Sequence, residues 1–308
     1  MPSIYITSDK PRSGKTALAV TLQRKIEEHG KAATLITPFS GVKEDATLES
    51  VLETVKNEGK DSDINIIEGL GDLENNSGDL SRQLVESIDA KVILVLGYSP
   101  SLYSGIALRA QMLFGERLAG VVINGVTVYK QRNAIVSLID ELEGQGVKIL
   151  ATIPEDRKLL GFTVGELAQH IGGTFLYGEH KKDLFIDNLM IGGLVLDWGY
   201  LYFERHENKA VIVRGNRPDL QMAALSTPTS CLVLTGTGSE GAIEYVQIEA
   251  EEEEIPLICV ETNTLDTVGV LEKLQDRAEF NHTVKEERFS ELIDNNGDWT
   301  SILAVAKV

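Results

Sequence analysis

Residues Ser8-Asp9-Lys10-Pro11-Arg12-Ser13-Gly14-Lys15-Thr16-Ala17 constrain the fold more than any other stretch of the chain. An apolar-alternating run from Pro2 to Thr7 precedes them and fits a strand. Leu18, Leu22 and Ile26 follow at helical spacing. Strand, loop and helix in that order turn backbone N–H groups and the positive end of the helix dipole toward one point, which suits a phosphate. Gly14 lets the backbone approach an anion, Lys15 brings a mobile positive charge, and the Thr16 hydroxyl can ligate Mg²⁺. Arg12, Ser13 and Ala17 complete the loop as candidate phosphate-binding residues. Asp9 stands where the pattern G-x-x-x-x-G-K-[ST] has its first glycine, so the match is incomplete and a plain strand-to-helix turn is the competing reading. The flanking strand and helix favour the phosphate loop.

Composition decides what such a loop can serve. The 308 residues, 43% of them hydrophobic, suffice for two domains with separate cores. A formal net charge of −18 repels nucleic acid and anionic membranes, so neither is expected as a partner, and a nucleotide is the anion that local basic groups would meet. The first residues read as a core strand and no apolar run approaches a membrane span, so a cytoplasmic protein is expected. Cys231 and Cys259 lie inside apolar runs, which predicts buried, reduced thiols.

Through the first half, strand and helix patterns alternate, which predicts a mostly parallel α/β sheet with helices on both faces. Thr37-Pro38 ends a strand at the edge where open α/β sheets bind ligands. Leu48, Val51, Leu52 and Val55 mark an amphipathic helix, and Asp45 before it can either cap that helix or turn toward a metal. Asp63 to Gly71 reads as a buried strand that delivers Glu68 at its end, opposite Thr16, as a Mg²⁺ ligand. Asn124 sits at another strand end, as a purine-reading amide or as an ordinary Asn-Gly turn.

The ordered set Gly14-Lys15-Thr16, Thr37-Pro38, Glu68-Gly69-Leu70-Gly71, Val122-Ile123-Asn124 and Ile153-Pro154-Glu155-Asp156-Arg157 resembles the dethiobiotin synthetase-like P-loop domain. It is closer still to the version at the N-terminus of long bacterial phosphate acetyltransferases. The resemblance implies Thr16, Asp45 and Glu68 around Mg²⁺, Asn124 facing the base of ATP, and the loop carrying Pro154 closing over it. Lys10, five residues before Lys15, also resembles the signature lysine of partitioning and arsenite-pump ATPases, a solvated loop lysine being the other reading. Lys15 and Lys10 are thus the candidate catalytic residues. Thr37 replaces the lysine by which dethiobiotin synthetase handles its carbamate, and Thr cannot supply that charge.

Gly172-Gly173 and the polar run Gly178 to Asp183 suggest a domain boundary, after which the pattern restarts. Aromatics Trp198, Tyr200, Tyr202 and Phe203 do not interleave with basic residues, so a core or a dimer contact is expected of them. Val213-Arg214-Gly215-Asn216-Arg217-Pro218-Asp219, then Thr235-Gly236-Thr237-Gly238, then Glu261 to Thr267 place three loops at one edge of a small parallel sheet, a natural pocket. These motifs resemble the DRTGG domain, with Asn216 for its Asp and Thr237 for its second Gly. Gly215, Asn216, Arg217, Asp219, Thr235 and Gly236 are the candidate second site; the resemblance implies ligand sensing, a domain used only for dimerisation being the other reading. The acidic run Glu249 to Glu254 reads as the solvated end of a helix, and the tail from Phe280 as a peripheral helix followed by a short strand or an extended end.

The expected organisation is therefore a P-loop domain over 1–178, a smaller α/β DRTGG domain over 179–280 and a tail over 281–308. By resemblance this is the regulatory half of phosphate acetyltransferase without the acyltransferase, so acetyl transfer is not expected. An ATP- and Mg²⁺-binding regulator or sensor with slow hydrolysis, acting as a homodimer and with a metabolic enzyme as partner, is the leading expectation. A ligase that activates a carboxylate, with Lys43 as its basic residue, and a dimeric switch ATPase using Lys10 are the alternatives.

Overall fold

The computed structural model describes residues 2–39, 47–71, 73, 77–127, 132–193, 199–237, 241–275 and 278–306. The chain divides into two compact units, residues 1–156 with 286–308, and residues 157–285.

The first unit is built on six short apolar segments that form strands β1 (Ser3–Ser8), β2 (Ala33–Ile36), β3 (Ile64–Gly71), β4 (Lys91–Gly97), β5 (Leu118–Val126) and β6 (Ile149–Pro154). They pair in parallel in the order β2-β3-β1-β4-β5-β6. The helices between them are α1 (Lys15–Glu28), α2 (Leu48–Glu58), α3 (Ser77–Ser87), α4 (Gly105–Phe114) and α5 (Arg132–Gly144). Because strand side chains alternate between faces, Tyr5, Ile67, Leu94, Leu96 and Ile123 point into one core with α2, α4 and α5. The opposite face is covered by α1, whose predicted stripe Leu18, Leu22 and Ile26 is fully buried against β1, β2 and β3. Such burial contributes roughly 1.5–3 kcal/mol per large aliphatic side chain. The predicted amphipathic helix runs from Leu48, with Thr47 as its N-cap accepting from the Ser50 N–H at 3.3 Å.

The order of strands places the loop after β1 at a particular point. From β1 the chain moves to β2 and back to β3 on one side, then crosses to β4 on the other. The crevice between the ends of β1 and β4 is the topological switch point, where open α/β sheets take their ligands.

The second unit contains β7 (Phe162–Thr163), α6 (Val164–Ile171), β8 (Thr174–Tyr177), β9 (Phe185–Ile186), β10 (Asn188–Gly192), α7 (Gly199–Phe203), β11 (Lys209–Arg214), α8 (Pro218–Leu225), β12 (Thr229–Thr235), α9 (Glu244–Glu252), β13 (Leu257–Val260) and α10 (Thr264–Gln275). Its main sheet runs β10-β11-β12-β13-β8, parallel except for β8. Alternation along β12 sends Leu232 and Leu234 toward α7, α8 and α9, and Cys231 and Val233 toward α6 and α10. Both cysteines are buried and free, as predicted, and burial raises both thiol pKa values. Phe203 joins the core, while Tyr200 is exposed. Glu251 to Glu254 are exposed at the end of α9, as their charge predicts.

Two sequence expectations change here. The first boundary falls at 156/157, not 178/179, because β8 pairs antiparallel with β13 and α6 packs on α10, both within the second unit. The tail after 285 belongs to the first unit and carries α11 (Thr283–Asn296) and α12 (Trp299–Val305), with Gly297 between them bridged to Ala151 and no terminal strand among the described residues. Asp298 starts α12 as its N-cap, accepting from the Ser301 N–H at 3.1 Å. Arg288 pairs with Asp156 at 2.7 Å and Lys25 with Asp294 at 3.1 Å, tying α11 to the first unit. No helix of the described residues is long and apolar enough to cross a membrane.

Candidate functional site

The loop after β1 is held by its own backbone and by two neighbouring strands. Arg12 and Gly14 take left-handed conformations, with φ of 65° and 100°. The strain at Arg12, costly for a residue with a side chain, is held by hydrogen bonds on either side. The Ser8 hydroxyl donates to the Lys10 carbonyl at 2.8 Å, and the Ser13 hydroxyl donates to Asp9 Oδ1 at 2.6 Å. Gly14 is the N-cap of α1 without a side-chain cap, and no acidic residue lies in the first turn. The first N–H groups of α1 are thus left for an incoming anion. Glycine at 14 has a second reason: an added Cβ would fall 2.3 Å from Asn124 Nδ2.

Beside the loop, the end of β3 brings the carboxylate. The Thr16 hydroxyl donates to Glu68 Oε1 at 2.7 Å, so these two predicted metal ligands do meet. Lys15 Nζ donates to the Gly69 carbonyl at 2.6 Å. Burial lowers the Lys15 pKa, opposed by the nearby Glu68 charge. Of the two glycines of Glu68-Gly69-Leu70-Gly71, Gly69 is required by packing, since a Cβ there would meet the Tyr5 ring at 2.2 Å, while one at Gly71 would lie 3.0 Å from the mobile Lys15 Nζ. Tyr5 is fully buried, shares a 2.8 Å hydrogen bond with the Ser81 hydroxyl and accepts from the Leu70 N–H at 3.2 Å. Loss of hydration pushes its pKa up to about 12.

Asn124 comes to the loop, with its amide donating to the Ser13 carbonyl at 3.0 Å. That contact supports the loop from below. The Lys10 stem lies against its own chain, where a Cβ on Gly97 would fall 2.8 Å from Lys10 Cε. Pro154 closes β6 beside Val126, and Thr37 is exposed just past β2. Asp45 and Lys43 lie outside the described residues. Among the described residues, no group of three or more His, Cys, Asp or Glu side chains is arranged to hold a metal. Thr16 and Glu68 do offer converging oxygen atoms, the donor type that suits Mg²⁺.

Sequence reasoning missed Asp9, Tyr5 and Gly97 as parts of this site. Asp9 is buried, and its Oδ1 accepts both the Ser13 hydroxyl and the Gly97 N–H, the latter at 3.1 Å. The available signal was a strand ending in glycine, Leu96-Gly97, which calls for a close neighbour.

The second unit has its own loop edge. The ends of β11 and β12 are paired there, Arg214 opposite Thr235, and the Gly215 N–H donates to the Thr235 carbonyl at 2.9 Å. The predicted second-site residues Gly215, Arg217, Asp219, Thr235 and Gly236 therefore gather at this edge, with Asn216 inside the first loop. Two of these side chains pair with each other. Arg217 forks onto Asp219, Nε to Oδ1 at 2.9 Å and a terminal nitrogen to Oδ2 at 2.6 Å, and this pair raises the pKa of Arg217 and lowers that of Asp219. The hydroxyls of Thr235 and Thr264 share a hydrogen bond of 2.7 Å. Gly236 has φ of 67°, and a Cβ at Gly215 would meet Thr237 Cγ2 at 2.3 Å.

Comparison with known families adds to this geometry. Residues 28–161 match the AAA domain model, and residues 166–274 match the DRTGG domain model. The chain carries a dethiobiotin synthetase-like P-loop domain and a DRTGG domain. The match to the P-loop domain begins after Gly14-Lys15-Thr16, so the role of that loop rests on its own structure. Among solved structures, the chain is similar to the MinD cell division protein of Aquifex aeolicus, with 18% identity over 52% of this chain and 85% of that one and a TM-score of 0.38. It is also similar to a nucleotide-binding protein from Archaeoglobus fulgidus in complex with ADP, at 13% identity, 50% and 82% coverage and a TM-score of 0.37. A third is the CBS and DRTGG region of Clostridium perfringens pyrophosphatase complexed with its activator diadenosine tetraphosphate, at 10% identity, 52% and 77% coverage and a TM-score of 0.34.

Proposed function

We propose that the P-loop domain binds ATP with Mg²⁺ and that the chain is a nucleotide-responsive regulatory protein, with slow ATP hydrolysis at most. The observation that carries this reading is the meeting of Lys15, Thr16 and Glu68 at the uncapped start of α1. On binding, the N–H groups of residues 13–17 take the phosphate oxygens, and Lys15 exchanges the neutral Gly69 carbonyl for a phosphate. Thr16 and Glu68 would hold Mg²⁺, which neutralises phosphate charge. Glu68 then serves the metal and is unsuited to activate water, so slow turnover is expected.

The absence of a positive charge at Thr37 favours regulation over carboxylate activation, and the two domains in this order support a relation to the N-terminal half of phosphate acetyltransferase. The DRTGG domain is the proposed second input, through Gly215, Asn216, Arg217, Asp219, Thr235 and Gly236. A ligand there meets an arginine already paired, Arg217 with Asp219.

Titration calorimetry with Mg·ATP tests the reading. Wild type binds, and Lys15→Ala loses a charge-assisted contact and binds about 100-fold more weakly. Equal binding by the two proteins would sink the assignment of the site.

A further inference from the structure

We propose that Asp9 is a positioning residue of the phosphate loop, anchoring it to the end of β4 through a buried carboxylate. The inference rests on the nucleotide reading above.

In the usual pattern this position is a glycine, chosen for a backbone turn. Here Asp9 is not among the described residues with positive φ, so glycine's conformational freedom is not used. The side chain is used instead. It is 7% exposed, and one oxygen accepts from the Ser13 hydroxyl at 2.6 Å and from the Gly97 N–H at 3.1 Å. The Asp9 N–H donates to the Val95 carbonyl at 3.3 Å. Asp9 thereby joins the first residue of the loop, the residue before Gly14, and the neighbouring strand across the switch point. Gly97 permits the approach, since a Cβ there would fall 2.9 Å from Ser13 Oγ. Ser13 is held from the other side by Asn124 through its carbonyl.

Two effects of this carboxylate oppose each other. Fixing the loop before the ligand arrives removes an ordering cost from binding. A negative charge beneath phosphates repels them. The hold must outweigh the repulsion for an acid to serve here. Asparagine keeps the accepting oxygen and removes the charge, so it separates the two effects.

The test is calorimetric titration of Mg·ATP into wild type, Asp9→Ala and Asp9→Asn, with thermal unfolding to confirm that each is folded. Asp9→Ala, having lost two hydrogen bonds on the loop, binds about 30-fold more weakly. Asp9→Asn binds as tightly as wild type or more tightly. If Asp9→Ala does not fold, Ser13→Ala removes one of the two donors and weakens binding about fivefold. Binding by Asp9→Ala or Ser13→Ala within twofold of wild type would show that the loop stands unaided and overturn the proposal. Asp9→Asn as weak as Asp9→Ala would also overturn it, because the charge and not the anchor would then matter. A wild type that binds no Mg·ATP removes the nucleotide reading itself, whereas a binding wild type with an unaffected Asp9→Ala removes the role of Asp9 alone.

Discussion

The two sheets end in loop edges of the same kind, glycine turns after parallel strands, yet they hold their charges differently. At the P-loop edge, Lys15 rests on a neutral carbonyl and Thr16 on Glu68, while the backbone N–H groups at the start of α1 have no side-chain cap. At the DRTGG edge, Arg217 is neutralised by a forked pair with Asp219, and the threonine hydroxyls bond to one another. Topology supplies a place for a ligand, and the partners of the charged groups decide how ready that place is. An anion at the first edge exchanges a carbonyl for a phosphate. At the second it meets an arginine already paired with a carboxylate.

The largest effect that can break this comparison is on binding. Lys15→Ala weakens Mg·ATP by about 100-fold, while Arg217→Ala leaves it within twofold of wild type, both read by calorimetry. A loss of similar size in Arg217→Ala would mean that the second edge takes the nucleotide.

Glycine packing comes next. Gly69→Ala and Gly215→Ala each drive a Cβ into a neighbour, the Tyr5 ring and Thr237 Cγ2, and each is expected to lose about 2 kcal/mol in chemical denaturation. The two edges then differ. Thr237→Ser removes the obstructing methyl and restores part of the loss in Gly215→Ala, whereas the rigid Tyr5 ring allows no such relief by one methyl. A double variant Gly215→Ala/Thr237→Ser no more stable than Gly215→Ala would contradict this packing.

The units also differ in pH dependence, where their contributions have opposite signs. Tyr5 in the first unit has its pKa raised by burial from 10.0 to about 12, so the unfolded chain loses this proton first and stability falls as pH rises from 10 to 12. Lys209 in the second unit is fully buried, its Nζ donating to the Pro228 carbonyl, and burial lowers its pKa from 10.5 to about 8. The unfolded chain then binds the extra proton between these values, so its contribution to stability rises from pH 8 to 10.5 and is lost on the way down. Denaturation across that range should flatten in Lys209→Met and lose its alkaline fall in Tyr5→Phe.

Much of the first site was legible in the sequence because its chemistry lies at strand ends. Gly14, Lys15, Thr16 and Glu68 are charged or permissive residues in places where an ordinary core would put neither. The contact of Asp9 with Gly97 was not legible, since it depends on β1 and β4 being neighbours in a register that sets Ser8 opposite Val95. Asn124 was read as facing a base, and its amide meets the Ser13 carbonyl for the same reason: only the sheet order brings it beneath Gly14. The boundary at 156/157 was hidden by β8, whose partner β13 lies some eighty residues later in the chain. The loop motifs of the DRTGG domain could be read as a shared edge, but the pairing of Arg217 with Asp219 is a matter of side-chain geometry.

Hydrogen exchange with and without Mg·ATP tests the central claim, that nucleotide occupies the P-loop edge and not the DRTGG edge. Slower exchange confined to residues 8–17 and 68–71, with residues 214–217 and 235–237 unchanged, is the predicted result. Protection of the second set without the first would contradict it.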